Sequence, residues 1–373
     1  MSIWAFAIAA SLFLVTAAVN LEVPLYRTYA QAAGYSNGST AIVFAAYIVG
    51  LLPVLILLGG ISDRLGRKPV ILLGLLSALL ATTVMIVSPT IHTLLLARIL
   101  QGVGVGLSVG AGTAYLAQIW GEAYAARAAS YVAITTSLGF GSGALLSSGA
   151  LLFQKTLVPA SYWLILLLTF SCLVLMLKLP AQKPHGGAWV RLPYFPKGTV
   201  AMGIAIALAW AVTGLVIAIV PAQLAQHQLA AWAGLALFLV NGTGALVQPL
   251  ARRFEAKNSI RIGLILLSLG YILLVFGAGL GILILVLAGS AIAGAACYGF
   301  TYLGGLAQVT KAGGEQRASA VSGYFLFAYL GFGLPSILMG FIADWVGVMN
   351  ALIAFGAVIV TLNSVLALKM KSS

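Results

Sequence analysis

The chain has 373 residues, of which 62% are hydrophobic and 7% charged, with a formal net charge of +13. Its mean hydropathy of +1.11 excludes a water-soluble fold, which needs many more polar residues to cover its surface. Cys172 and Cys297 fall inside apolar runs and read as packing residues, so neither a disulfide framework nor a metal pair is expected.

Apolar runs of about 20 residues recur along the chain, the length that crosses a hydrocarbon core. In lipid such runs must satisfy their own backbone hydrogen bonds, so they are expected as helices. Short alternating strands of a membrane barrel are not seen. Twelve spans are expected, near residues 4–31, 38–59, 69–88, 92–118, 125–152, 159–178, 198–222, 230–251, 258–277, 280–308, 317–343 and 347–369. The turns "GYSNGST", "SPTIH" and "GAGLG" separate some of them. The first run lacks a basic leader region and continues through Glu22 and Pro24, so it reads as a retained span.

Span one carries Glu22, and span four carries Arg98 near its start. Ionised groups inside a span are costly, and are usually functional or paired. Span one runs outward and span four inward, which sets the two groups at a similar depth. A neighbouring cation favours an ionised carboxylate and desolvation favours the neutral form, a balance that brings titration within reach of cellular pH. A static ion pair, or Glu22 at a wet rim bonded to Arg27, would explain the same residues.

The loop after span two reads "GGISDRLGRKPV" and concentrates Asp63, Arg64, Arg67 and Lys68. Its glycines permit a tight turn, and a carboxylate there suits the positive end of a helix. Glu122, at the end of span four, is a candidate partner for the arginines. Gly102, Gly106 and Gly110 recur every four residues, as close helix packing requires. The stretch "GVGVG" is no dinucleotide loop, because no strand precedes it.

A Pro- and Gly-containing stretch follows span six and divides the chain. The expected fold is an all-α membrane protein of 12 transmembrane helices in two six-helix halves related by a pseudo-two-fold axis. The halves are 1–180 and 198–373, with 181–197 a cytoplasmic linker. Internal repetition supports the division. "LGFG" occurs at 138–141 and 330–333, "AQI" at 117–119 matches "AQV" at 307–309, and the sequence after Arg127 resembles that after Arg317. Parallel halves point to a transporter with a solute site near the midplane. Glu22 and Arg98 have no charged counterparts, since Val212 and Ala288 stand at the repeat positions.

In the second half, Asn241 and Gln248 share a face of span eight, and Tyr298, Thr301 and Tyr302 follow Cys297 in span ten. These are candidate pocket residues, although polar residues in spans also simply bond a neighbouring helix. His227, with Gln223, Gln226 and Gln228, is expected at a solvated end of span seven. Asn37-Gly38-Ser39 fits a glycosylation sequon, which close to a membrane reads as a chance match.

With the N-terminus in the cytoplasm, inside loops hold sixteen of the 19 Lys and Arg residues, which sets both termini inside. The same bias accounts for the net charge without nucleic acid and makes anionic lipid headgroups the expected partner.

Gly59, Asp63, Arg64, Gly66, Arg67 and Lys68 match the signature G-x-x-x-D-R-x-G-R-K, so the chain resembles the major facilitator superfamily. "RILQG", with Arg98, Gln101 and Gly102, is similar to that family's second motif. The resemblance covers the twelve spans, both halves and the linker. It implies that Asp63, Arg64 and Arg67 form a latch on the cytoplasmic side, with Asp63 facing the start of span eleven. It also implies that spans one and four line the cavity of the first half. The second half keeps only a worn copy, "ARRFEAKNSIRIG", with Arg252 where Asp63 stands. The family's exporters often carry G-x-x-x-G-P-x-x-G-G in span five. Here Ala144 replaces the Pro, and Ser147 and Ser148 replace the last glycines.

The expected function is alternating-access transport of a small amphipathic or lipophilic solute, exported in exchange for protons by a monomer in a bacterial plasma (inner) membrane. An importer or facilitator of a small metabolite, such as an anion held by Arg98, is the first alternative; a non-transporting receptor or scaffold is the second. No nucleophile set or metal-ligand cluster suggests an enzyme, and no cofactor beyond a proton gradient is expected.

Overall fold

The computed structural model describes residues 3–372 apart from 59, 183, 185, 187–189 and 191, and it leaves undescribed the side chains of 122, 125, 126, 371 and 372. Among the described residues every regular element is helical. A helix is the one open element that satisfies its own backbone without water.

The first apolar run departs from a continuous helix. It forms α1 (Ile3–Val19), a 3₁₀ turn (Val23–Leu25) and α2 (Tyr26–Ala32). Pro24 accounts for the break. Proline has no N–H to continue the ladder, and its ring clashes with the carbonyl four residues back, at Asn20. Asn20, Leu21 and Glu22 are all buried. Irregular backbone at membrane depth is tolerated where protein covers it.

The chain continues as α3 (Asn37–Leu57), α4 (Ile61–Leu65), α5 (Arg67–Val87), α6 (Ile91–Trp120), α7 (Ala125–Phe153) and α8 (Ala160–Met176). Then come α9 (Val200–Ala218), α10 (Val220–Gln226), α11 (Ala233–Ala251), α12 (Ala256–Leu280), α13 (Leu283–Gly294), a π-helical turn (Ala295–Thr301), α14 (Tyr302–Gly313), α15 (Arg317–Val346) and α16 (Val348–Ser372). Among the described residues ten segments are long and apolar enough to cross a membrane. One of them, Leu283–Val346, has 64 residues and holds α13 to α15, enough for two crossings. With the shorter apolar α8, the described helices supply the twelve-span, two-half architecture.

Contacts divide the chain into two units. One comprises Met1–Leu25 and Ala46–Leu192, the other Tyr26–Ala45 and Pro193–Ser373. In the first unit α1 packs on α6 and α7, and α5 packs on α6 and α8. In the second, α9 packs on α15, and α12 packs on α13 and α16.

The repeated "LGFG" does the same job in each unit. A Cβ on Gly139 would lie 2.6 Å from the Phe13 carbonyl oxygen, and one on Gly331 would lie 2.3 Å from the Ala207 carbonyl oxygen. Each glycine therefore lets the fifth span of its half touch the first, backbone to backbone. Both cysteines are free and buried, with Cys172 against the Ala7 carbonyl and Cys297 against Thr213.

Candidate functional site

The break in span one builds the candidate site. A helix that stops leaves carbonyls without partners. Here two side chains of α6 take them up. Arg98 Nη1 donates to the Val19 carbonyl at 2.7 Å, and Gln101 Nε2 donates to the Ala18 carbonyl at 3.0 Å. Gln101 then joins the two charged groups. Its Nε2 donates to Glu22 Oε1 at 3.0 Å, and its Oε1 accepts from Arg98 Nη1 at 3.2 Å. Glu22, Arg98 and Gln101 are each fully buried. Glu22 Oε2 accepts no hydrogen bond among the described residues.

Two further contacts fix the cluster. The Arg98 guanidinium carbon lies 5.0 Å from the centroid of the Tyr47 ring, a cation–π distance. Asn20 Nδ2 donates to the Phe140 carbonyl at 2.7 Å, tying the unwound stretch to α7. Gly102 brings α3 against α6, since a Cβ there would lie 2.0 Å from the Tyr47 carbonyl oxygen. Gly106 meets Val54, whereas Gly110 faces open space, so two of the three spaced glycines serve this packing. The wet-rim reading of Glu22 does not hold. The carboxylate is buried on Gln101, and Arg27 instead donates to the Ala222 carbonyl at 3.1 Å.

The charged loop motif lies elsewhere in the same unit. Asp63 and Arg64 sit in α4, and Arg67 and Lys68 open α5. Gly66 turns the chain between them at φ +87°, a conformation that glycine alone adopts readily. Arg67 Nη1 donates to the Ala114 carbonyl at 2.9 Å and also to Gln118 Oε1. Lys68 Nζ donates to the Leu177 carbonyl at 2.8 Å. Lys68 thus sits where α8 runs out and its carbonyls face outward, whereas Arg67 meets α6 six residues before its end. Gly59 and the side chain of Glu122, the expected partner of the arginines, lie outside the described residues.

The second unit gathers a different set. The π-helical turn falls on "AACYGFT" and distributes the span-ten candidates among three neighbours. Tyr298 stands beside Trp210 of α9, with ring centroids 5.8 Å apart, and Gln248 Nε2 reaches the Tyr298 carbonyl at 3.5 Å. Thr301 is fully buried against Gly263 of α12, and Tyr302 pairs with Phe325 of α15. Asn241 Nδ2 donates to its own helix at the Leu237 carbonyl.

Trp210 is the residue that sequence reasoning missed. Its ring packs on Tyr329 at 4.9 Å and Phe332 at 6.2 Å as well as on Tyr298, and its buried Nε1 donates no hydrogen bond among the described residues. The signal that could have found it is positional, because Trp210 lies one repeat length after Asn20, at the break of span one. His227, Gln226 and Gln228 are exposed, as expected of a span end, but Gln223, one turn earlier, is buried against the helices around it. Among the described residues no group of three metal-ligating side chains comes together.

A broken first span and apolar helices in two repeated halves mark a multi-pass membrane protein. The sequence profile of the Major Facilitator Superfamily matches residues 5–311, and the chain belongs to that family. It is 30% identical over 133 residues to Monosaccharide-sensing protein 2 of Arabidopsis thaliana, covering 35% of this chain and 18% of that one. It is 37% identical over 73 residues to Multidrug resistance protein MdtL of Shewanella oneidensis, covering 20% of this chain and 18% of that one. The chain thus matches about a fifth of the length of these curated relatives. The crystal structure of the nucleoside transporter NupG superposes with a TM-score of 0.74 at 16% identity over 100% of both chains, a likeness of fold.

Proposed function

We propose that the chain is a secondary active transporter that works by alternating access and exports a small amphipathic or lipophilic solute in exchange for protons. The observation that carries this reading is Glu22. It is fully buried, one carboxyl oxygen is held by Gln101, and Oε2 accepts no hydrogen bond among the described residues. Such an oxygen is a place for a proton, and intramembrane carboxyls of this kind form proton relays in transporters. Gln101 donates to the carboxylate and Arg98 supplies the opposing charge, so the ionised state has partners when the proton leaves. The named role of the MdtL relative supports a drug-like solute.

The alternative is import or facilitated passage of a polar metabolite, in keeping with the sugar and nucleoside names among the similar proteins. An anion seated on Arg98 is the less favoured form of it. That guanidinium already donates to Val19 and Gln101 and lies over Tyr47, so it serves as a fixed cation of the site. A non-transporting receptor or scaffold would show no flux at all.

We place the protein in a bacterial plasma membrane as a monomer, with both termini in the cytoplasm and its basic loops on anionic headgroups. Asp63, Arg64 and Arg67 then latch the cytoplasmic side. Asp63→Asn is expected to impair transport while the protein still inserts, and normal flux through inserted mutant would remove that role.

Proton movement in everted vesicles tests the reading, with lipophilic cations, anions and neutral solutes added in turn. Solute-triggered proton efflux in wild type and none in Glu22→Gln is the expected outcome. Equal efflux from both would overturn the role of Glu22. Solute uptake with no proton movement in either would favour the facilitator.

A further inference from the structure

The second unit joins the start of α3 to the end of α15. Asp344, two residues before α15 ends, sends both carboxylate oxygens to the first residues of α3. Oδ1 accepts from the Asn37 backbone N–H at 2.9 Å and from Asn37 Nδ2 at 3.0 Å. Oδ2 accepts from the Gly38 N–H at 2.9 Å. The first N–H groups of a helix have no partner within it, and the helix dipole adds positive potential there. One carboxylate therefore meets three donors at a position 307 residues away in the chain.

The backbones beneath this contact are just as close. A Cβ on Gly340 would lie 3.0 Å from the Asn37 carbonyl oxygen and 2.8 Å from Ala41 Cβ. A Cβ on Gly38 would lie 2.5 Å from the Phe341 ring. Two helices meet this tightly only where both present glycine, so the contact is a seat as well as a bond. Asn37-Gly38-Ser39, which resembles a sequon, finds its use here as a helix start shaped for an acid.

We propose that Asp344 is a second latch, acting at the end of α3 opposite Asp63. It rests on the alternating-access reading given above. α3 and α15 run between the two sides of the membrane in opposite directions. Asp344, at the C-terminal end of α15, serves the start of α3. The acid at the end of α15 thus fits the beginning of α3. Closing one side engages one acid, and opening that side releases it. On the orientation proposed above, Asp344 closes the outer side.

The test reads opening directly, without solute. Nitroxides are placed at Tyr35→Cys and Trp345→Cys, both exposed positions flanking the contact, after Cys172→Ala and Cys297→Ala. Their distance distribution is measured by pulsed electron resonance in nanodiscs. The unmodified latch should give mainly the short distance. Asp344→Asn should lower the ratio of short to long populations about tenfold, as expected for losing charge-assisted hydrogen bonds. Asn37→Asp, which sets two carboxylates face to face, should open the pair at least as far. Gly340→Ala wedges the helices apart and shows that the labels report opening.

Long distances in Gly340→Ala but unchanged ones in Asp344→Asn and Asn37→Asp would overturn the latch. Should Asp344→Asn fail to insert, Asn37→Asp decides between the same two outcomes. Failure here leaves the transport reading intact. Absence of flux from a protein whose distances do shift would instead strike that reading alone.

Discussion

The first unit buries charge and the second buries rings, although both derive from one repeated plan. Glu22, Arg98 and Gln101 lie without solvent exposure in the first. At the repeat positions the second has Val212, Ala288 and Ala291. Its own buried centre is Trp210, packed among Tyr298, Tyr329 and Phe332. The scaffold contacts repeat faithfully, as Gly139 and Gly331 show, while the side chains at the centre do not. Duplication fixed the backbone, and each unit then took its own task. In our account the first unit handles the proton.

Arg98→Ala should break this contrast most severely. It leaves the Glu22 carboxylate buried without its cation, and removing one partner of a buried pair costs about 3–5 kcal/mol. Melting in detergent should fall steeply and transport should vanish. Adding Glu22→Gln to the same chain should return part of the lost melting temperature, because no charge is then stranded. Failure of that rescue would mean that Arg98 acts only by packing and by holding the Val19 carbonyl.

Glu22→Gln alone is a milder change to the fold and a sharp one to function. The amide keeps the shape and removes the proton. Stability should change by about 1 kcal/mol or less, the scale of one neutral hydrogen bond. Proton-driven accumulation should drop at least about tenfold while exchange of solute for solute continues.

Trp210→Phe separates the units further. It keeps a ring against Tyr329 and deletes the indole N–H. Removing a donor that makes no hydrogen bond should change stability by less than about 1 kcal/mol and leave the pH profile unmoved. A shifted pH profile would show that the second unit also takes part in proton handling. Thr213→Val, which loses the contact to Cys297 Sγ, should be the smallest change, within about 1 kcal/mol in stability.

Much of this was legible in the sequence, for physical reasons. Membrane spans announce themselves by length and apolarity, and the boundaries of α3, α6, α7 and α16 fall within a few residues of expectation. Glu22 and Arg98 stand out because charge is scarce in such runs, and the opposite directions of their spans suggest a similar depth, where Gln101 joins them. Other features were hidden. Pro24 was visible, but whether a proline kinks or breaks a span depends on partners for the released carbonyls, and those come from α6. Trp210 offers no contrast in a stretch already rich in apolar residues. The π-helical turn leaves no mark in the residue pattern. Asp344 looks like any boundary charge until α3 is folded against it.

The central claim is that Glu22 binds the transported proton, and solute-induced proton release from purified protein tests it most directly. A lightly buffered detergent solution with a pH-sensitive dye would be titrated with a solute whose binding calorimetry has already established. The account predicts proton release on binding to wild type and none from Glu22→Gln, though both bind. Equal release from the two proteins would contradict it and send the search for the proton site away from span one.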